Sequence, residues 1–348
     1  MSSPRTLLDV LSNRDPYIIA EIGVNHDGSR GRAEELIRAA ADAGADAVKF
    51  QWFDPIELLS TSAGLVTYQE RSGESDAREM LGRLQLSSQD LRSLVDSARR
   101  LGLQSLVTVF TPRLVDPVLE FGWNLLKVAS PDLVNRPLLE ALRAGGLPML
   151  ASTGGATLEE IQQAVEWIGA EDLALLHCVS SYPTEADDAS LAAIRTIADA
   201  TGLPVGYSDH TRMVETGALA VAAGATILEK HLTWNSSAPG PDHAASMDPD
   251  EFQTYVRLAR TARRMLGSPE KRIQRTELDV ISASRQSVSV IDEVLPGDVL
   301  SLENLTTMRP GDGLPPACLK SLVGRRVTRR IAPRSHVSLH DLESESSS

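Results

Sequence analysis

Two polar strings carry the residue types that metal-assisted chemistry needs. Gly206-Tyr207-Ser208-Asp209-His210 closes one short apolar run, at residues 203–205, and Glu229-Lys230-His231 closes another, at residues 225–228. Residues 214–223 between them read as a helix stopped by Gly224, which makes a strand–helix–strand unit with a histidine at the carboxyl end of each strand. Side chains alternate faces along a strand, so Ser208 shares a face with His210, and Glu229 with His231. On neighbouring parallel strands His210 and His231 stand side by side, as two ligands of one ion must. The plainer reading is a pair of core histidines satisfied by hydrogen bonds. It suits one isolated histidine better than two of the chain's seven in matching positions among carboxylates and a lysine.

Other candidates sit at the ends of other apolar runs. Glu21 interrupts Tyr17-Ile18-Ile19-Ala20-Glu21-Ile22-Gly23, where a carboxylate is costly unless it has partners or a task. Lys49 and Gln51 share one face of Ala47-Val48-Lys49-Phe50-Gln51, and Lys127 lies inside Leu125-Leu126-Lys127-Val128-Ala129-Ser130. Lysines within apolar runs fit solvated surface charge poorly. Ser152-Thr153-Gly154-Gly155 ends a further run and leads to Thr157 and Glu160, spaced as a capping box. Hydroxyls, glycines and a helix start suit an anion such as phosphate, although small residues also make ordinary tight turns.

These candidates need elements to hold them. Apolar runs near residues 17–23, 47–51, 105–110, 125–130, 148–153 and 173–179, with the two described first, give eight strands. Helical patterns at residues 29–43, 88–101, 136–143 and from 157 onward alternate with them. The predicted fold is α/β, a (β/α)8 TIM barrel, with a doubly wound open sheet as the alternative. Only a barrel gathers the strand ends at one mouth, so that Glu21, Lys49, Gln51, Lys127, Ser130, Ser152, His177, Ser208, His210, Glu229 and His231 face one cavity. Residues 52–86 break the alternation and read either as a lid or as a plain insertion. Ala238-Pro239-Gly240-Pro241-Asp242-His243 is a rigid polar loop at the rim, and residues 249–266 are a closing helix. The expected domains are 1–270 for the barrel, 271–283 for a linker and 284–342 for a small β-rich module rich in arginine, with a disordered tail at 343–348.

Composition narrows the class. The chain has 348 residues, enough for a barrel of about 250 plus a module, and a formal charge of −13 that disfavours general nucleic-acid binding. Two cysteines, Cys178 and Cys318, imply no disulfide framework. The first sixteen residues lack an apolar signal core, and no run has the length of a membrane span. The expected location is the cytoplasm.

The ordered motifs resemble those of the sialic acid (nonulosonate) synthase family. They include Ala20 through Ser29, Ala43 through Gln51, Ser152-Thr153-Gly154, His177-Cys178, Tyr182-Pro183-Thr184, the two histidine strings, Pro239 through His243, and Arg309-Pro310-Gly311. The resemblance runs from about residue 17 to 342, and implies a C-terminal antifreeze-like domain after the barrel. It further implies condensation of phosphoenolpyruvate with an N-acylated hexosamine such as N-acetylmannosamine. Carried over position by position, it gives His210 and His231 a divalent cation, Mn²⁺ or Mg²⁺. Lys127, Ser130, Ser152, Ser180 and Ser208 surround the phosphate, and Lys49 meets the carboxylate. Glu21 acts on water or the incoming sugar, and Glu229 joins Glu21 and Lys49 in the catalytic set. Gln51, Tyr182 and Asp242 contact sugar hydroxyls, and Arg309 reaches the acylated end. The family also implies a domain-swapped homodimer.

The chain departs from the family pattern at Val107-Thr108-Val109-Phe110, at Ala129-Ser130-Pro131-Asp132 and at Ser180, which bear on the shape of the phosphoenolpyruvate pocket. Two alternatives stand beside this reading. One is another phosphoenolpyruvate-dependent synthase making a 3-deoxy-ulosonic acid from a phosphorylated sugar. The other is a non-catalytic carbohydrate-binding protein.

Overall fold

The computed structural model describes residues 15–65, 69–70 and 73–344. The N-terminal reading therefore falls almost wholly outside the described residues, as do 345–348 of the tail and, within 52–86, residues 66–68 and 71–72. The chain divides into two compact units, Met1–Gly267 and Ser268–Ser348.

Eight strands of the first unit close into a barrel in chain order. They are β1 (Tyr17–Gly23), β2 (Ala47–Trp52), β3 (Gln104–Val109), β4 (Leu125–Val128), β5 (Met149–Ser152), β6 (Leu173–Cys178), β7 (Val205–Asp209) and β8 (Ile227–His231). Neighbours are parallel throughout, and β8 pairs back onto β1 with His231 opposite Glu21. Closure excludes the open doubly wound sheet. Helices follow the strands where the periodicity predicts them: Arg30–Ala43, Ser88–Arg100, Arg136–Ala144, Leu158–Ile168 and Pro249–Leu266. The Thr157–Glu160 capping box is formed in both directions.

The period of two along each strand sorts the core into an outer and an inner part. Ile18, Ala20 and Ile22 of β1 face the helices, as do Val48 and Phe50 of β2. Tyr17, Ile19, Ala47, Leu106, Leu125, Leu150, Ala174, Leu176 and Ile227 form a separate apolar plug inside the barrel. The plug sets the level of the site. Two residues beyond a plug residue, toward the carboxyl end, stand Glu21, Lys49, Thr108, Lys127, Ser152, Cys178 and Glu229. The apolar floor and the polar layer above it are thus successive turns of one alternation.

Within 52–86, Asp54 caps a short turn of helix at Pro55–Leu58, and Asp76 caps the helix Ala77–Leu84. In the second unit, part of the span read as linker is helical, at Leu278–Ser284. Strands β9 (Ser287–Val290) and β10 (Leu305–Met308) pair antiparallel over a core that includes Val288, Leu300, Leu322 and Ile331.

Candidate active site

A cavity of about 530 Å³ opens among the carboxyl ends of the strands. Its lining includes Glu21, Lys49, Gln51, Lys127, Ser130, Ser152, Ser180, Tyr182, Ser208, His210, Glu229, His231 and Asp242. His177 is not among them. Its position on β6 alternates with Leu176, so its ring faces outward, where Nε2 meets the Ala189 carbonyl at 3.1 Å. The expectation that it faces the cavity is corrected by the strand's own period. Arg309 belongs to the second unit and is exposed there.

Four buried charges share one network. Lys49 Nζ lies 3.2 Å from Glu21 Oε2 and 2.9 Å from Glu229 Oε1. Glu229 Oε1 also accepts from Ser208 Oγ at 2.9 Å and lies 3.8 Å from Lys127 Nζ. Gln51 Nε2 donates to Glu21 Oε1 at 2.9 Å. Gly23 leaves room for that bond: with φ at +49°, a Cβ there would fall 2.5 Å from Glu21 Oε1.

The two carboxylates share this network, and their affinities for a proton diverge. Burial, with the charge of Glu229, pushes Glu21 up to about 7 against the pull of Lys49 and Gln51. Burial also acts to raise Glu229, but Lys127, Lys49 and the Ser208 hydroxyl outweigh it and hold Glu229 below the usual carboxylate range. Burial brings Lys127 down to about 8 despite Glu229 nearby. A pair of neighbouring acids driven apart in this way is how one site holds a proton donor and a fixed anion together.

The hydroxyl side lies on β4 to β6 and the turns after them. Lys127 Nζ donates to Ser152 Oγ at 2.6 Å and to the Val128 carbonyl at 2.9 Å. Gly154 N donates to Ser130 Oγ at 3.1 Å. A Cβ on Gly154 would fall 2.4 Å from Ser180 Oγ, 2.6 Å from Cys178 Sγ and 2.9 Å from Ser130 Oγ, so glycine alone lets these groups converge.

On β7 and β8 the rings of His210 and His231 are 5.6 Å apart. His210 Nδ1 is held by the Val179 carbonyl at 2.8 Å, which leaves Nε2 as its free nitrogen. His231 Nδ1 is buried without a hydrogen-bond partner, 3.8 Å from Asp242 Oδ2. Burial drives His210 down to about 4 and, with the charge of His210 and Lys49 beside it, drives His231 well below the ordinary imidazole value, so both are neutral imidazoles, the form that binds metal. Tyr182 covers them, its ring 4.1 Å from that of His210. Among the described residues no group of three or more His, Cys, Asp or Glu is arranged to hold a metal ion. Two neutral imidazoles, one with an unpartnered buried nitrogen beside the Asp242 carboxylate, are a donor set of the kind a divalent cation takes.

The remaining wall is apolar, and most of it comes from residues 52–86, the span read either as a lid or as a plain insertion. Val24, Leu58, Met80, Leu81, Leu84 and Phe110, from the segments after β1, β2 and β3, line the cavity with apolar surface. The sequence does hold the signal, because Ala77, Met80, Leu81 and Leu84 stand at i, i+3, i+4 and i+7 of one helix face. Thr108 lines the cavity too, with its hydroxyl buried and unpartnered.

Residues 36–271 match the NeuB family. Over 325 residues the chain is 38% identical to an N,N'-diacetyllegionaminic acid synthase of Legionella pneumophila, covering 91% of each protein. It is 31% identical to the N-acetylneuraminate-9-phosphate synthase of Mus musculus, covering 95% of this chain and 93% of that one. The crystal structure of an N-acetylneuraminic acid (sialic acid) synthetase from Leptospira borgpetersenii aligns with a TM-score of 0.70 at 33% identity. That alignment covers 77% of this chain and 90% of the other.

Proposed function

The chain belongs to the NeuB family, and from that premise we propose that it is a nonulosonic acid synthase, joining phosphoenolpyruvate to an N-acylated hexosamine with release of phosphate. The observation that carries the proposal is the division of one cavity. The Ser130, Ser152 and Ser180 hydroxyls and the buried Lys127 stand on β4 to β6 and the turns after them, while neutral histidines and a proton-holding Glu21 stand on β7, β8 and β1.

Each part has a task in that reaction. Lys127, Ser130, Ser152, Ser180 and Ser208 bind the phosphate, with the Gly154 turn giving it room, and Lys49 binds the carboxylate. Gln51, Tyr182 and Asp242 orient the sugar. His210 and His231 would hold Mn²⁺ or Mg²⁺, which supplies Lewis-acid polarisation of the sugar aldehyde when bound. C3 of phosphoenolpyruvate bonds to the aldehyde carbon, and the aldehyde oxygen takes the proton of Glu21. Water adds its oxygen to C2 and returns one proton to Glu21. The bond from C2 to the phosphate oxygen then breaks, leaving a ketone, and phosphate departs with the remaining proton of that hydroxyl. Glu229, held anionic, keeps Lys49 and Lys127 charged and stabilises positive charge as it develops at C2.

Lys49 and Lys127 are the only lysines or arginines among the described lining residues, and both are engaged at the phosphoenolpyruvate end. The cavity thus favours an acceptor without phosphate over the phosphorylated sugar of a 3-deoxy-ulosonic acid synthase. We further propose that the enzyme is a homodimer with an antifreeze-like C-terminal domain. It would work in the cytoplasm, where its two free cysteines stay reduced. Among the described residues no helix is long and apolar enough to cross a membrane.

The test is phosphate release from phosphoenolpyruvate with mannosamine-type and diacetamido-hexose acceptors, and mass spectrometry of the product. Chelator should stop turnover, and Mn²⁺ or Mg²⁺ should restore it. Hydrolysis of phosphoenolpyruvate indifferent to every acceptor would overturn the synthase reading, and full activity after exhaustive chelation would remove the metal.

A further inference from the structure

We propose that the ion pair between Asp209 and Lys230, on the outer face of the barrel, is a positioning device that sets the separation of His210 and His231. The proposal rests on the metal reading above, and the experiment below separates its failure from that of the reading.

The alternation that aims His210 and His231 inward aims Asp209 and Lys230 outward, each covalently next to one of the histidines. Both are fully buried, with Lys230 Nζ 3.5 Å from Asp209 Oδ1. The β7–β8 register runs Tyr207 to Leu228, Ser208 to Glu229 and Asp209 to Lys230, and ends there. The charge pair is therefore the last rung between the two strands. Beyond it the histidines have separate supports: Thr184 N donates to the His210 carbonyl at 2.9 Å, and Met247 N to that of His231 at 3.0 Å. Those bonds tie each histidine to a different loop. The pair ties them to each other.

Thr211 locks the rung from the far side of His210. Its backbone N donates to Asp209 Oδ1 at 2.8 Å, and its carbonyl accepts from Lys230 Nζ. Its hydroxyl bonds Thr216 Oγ1 at 2.9 Å, at the start of the helix Thr216–Ala223. His210 is thus bracketed by two residues that both engage Lys230, and Lys230 is bonded in sequence to His231. Stability alone does not call for ions here, because well-packed apolar residues can replace a buried ion pair with little or no loss. A rung with fixed charge geometry at this position constrains what apolar packing leaves loose: the relative placement of the two imidazoles.

The test uses the full chain and Mn²⁺ as the probe. The double variant Asp209→Asn with Lys230→Met keeps an acceptor for Thr211 N and the bulk of the lysine stem, and removes both charges. Isothermal titration should give wild-type protein a measurable Kd, His210→Ala none, and the double variant a Kd at least tenfold weaker with unchanged circular dichroism. Should the variant melt too early for titration, the rise in its Tm at saturating Mn²⁺ gives the same comparison, since ligand binding stabilises in proportion to ln(1 + [L]/Kd). A folded double variant with wild-type Mn²⁺ affinity would overturn the positioning role and leave the metal site standing. Wild-type protein that binds no Mn²⁺ would overturn both.

Discussion

Two buried charge clusters, each of carboxylates and lysines, meet at β8, where Glu229 points to one side of the strand and Lys230 to the other. Glu21, Lys49, Glu229 and Lys127 face inward, and Asp209 and Lys230 face outward. All are nearly or fully inaccessible, with no side chain above 6% exposed. Yet the inner four line the cavity and the outer two do not. Burial of charge therefore does not by itself mark a site. Access does. The inner cluster has spare capacity, with Glu229 Oε2 and the Thr108 hydroxyl lacking partners, at a place a ligand can reach. The outer pair also has an oxygen without a hydrogen-bond partner, Asp209 Oδ2, but it lies away from the cavity, where no ligand meets it.

The contrast predicts that inner substitutions act on turnover and outer ones on stability and alignment. Lys49→Met has the largest expected effect. It leaves Glu21 and Glu229 facing one another without their shared cation and removes a contact to phosphoenolpyruvate. Turnover should fall roughly 10³–10⁴-fold, more than loss of a single oxyanion donor costs. Steady-state phosphate release measures it, and a loss under tenfold would take Lys49 out of the catalytic set.

Lys230→Met alone, without a change at Asp209, should be the most destabilising of the outer changes. It strands a buried carboxylate, so urea unfolding should show a loss near the lower end of the ~3–5 kcal/mol typical of a broken buried pair. A loss below about 1 kcal/mol would mean that water reaches Asp209 after all.

Lys127→Met comes next. Lys127 holds Ser152 and stands 3.8 Å from Glu229, so removing its charge subtracts one charge-assisted contact worth about 1.5–3 kcal/mol. KM for phosphoenolpyruvate should rise roughly 10- to 150-fold while KM for the sugar moves little. Equal effects on both would show that Lys127 acts by holding the cavity's shape.

The same contrast explains what the sequence made legible. The polar ends of apolar runs and the period of two were enough to aim His210, His231, Glu229, Lys49 and Lys127 into one mouth. The period likewise assigns Asp209 and Lys230 to the other face, but it cannot say whether that face meets water or a helix, which depends on the packing of residues 216–223 and 249–266. His177 was misplaced because strand ends were read as pointing inward wholesale, when one residue's shift reverses the face. Residues 52–86 were legible as a lid or an insertion but not as an apolar wall, because polar residues over 60–76 mask an eight-residue helix whose apolar face is complete. The hydroxyl cluster at Gly154 was legible as a tight turn but not as a convergence, since Ser130, Cys178 and Ser180 come from two other strands.

The smallest effect is the most discriminating about Glu21. Its folded-state proton affinity is raised to about 7, mainly by burial, while an exposed glutamate titrates near 4.3. Protonated Glu21 is the form that donates to the sugar oxygen. kcat/KM for the sugar should therefore be flat below about pH 7 and fall tenfold per unit above it. Stability follows the same proton. The folded state binds it more tightly than the unfolded chain, so Glu21's contribution is full below about pH 4.3 and is lost as pH rises through 7. Glu229 runs the other way. Its folded affinity is lowered, so its contribution is present above about pH 4.3 and lost as pH falls below that. Glu21→Gln holds the site in a neutral form with the same shape. It should remove the alkaline fall in whatever activity remains, and gain stability relative to wild type as pH rises from about 4.5 to 7.5, with no gain at the acidic end. Parallel urea-midpoint profiles for the two proteins across that range would show that Glu21 is ionised throughout, and the proton delivered to the sugar oxygen would then have to come from another group.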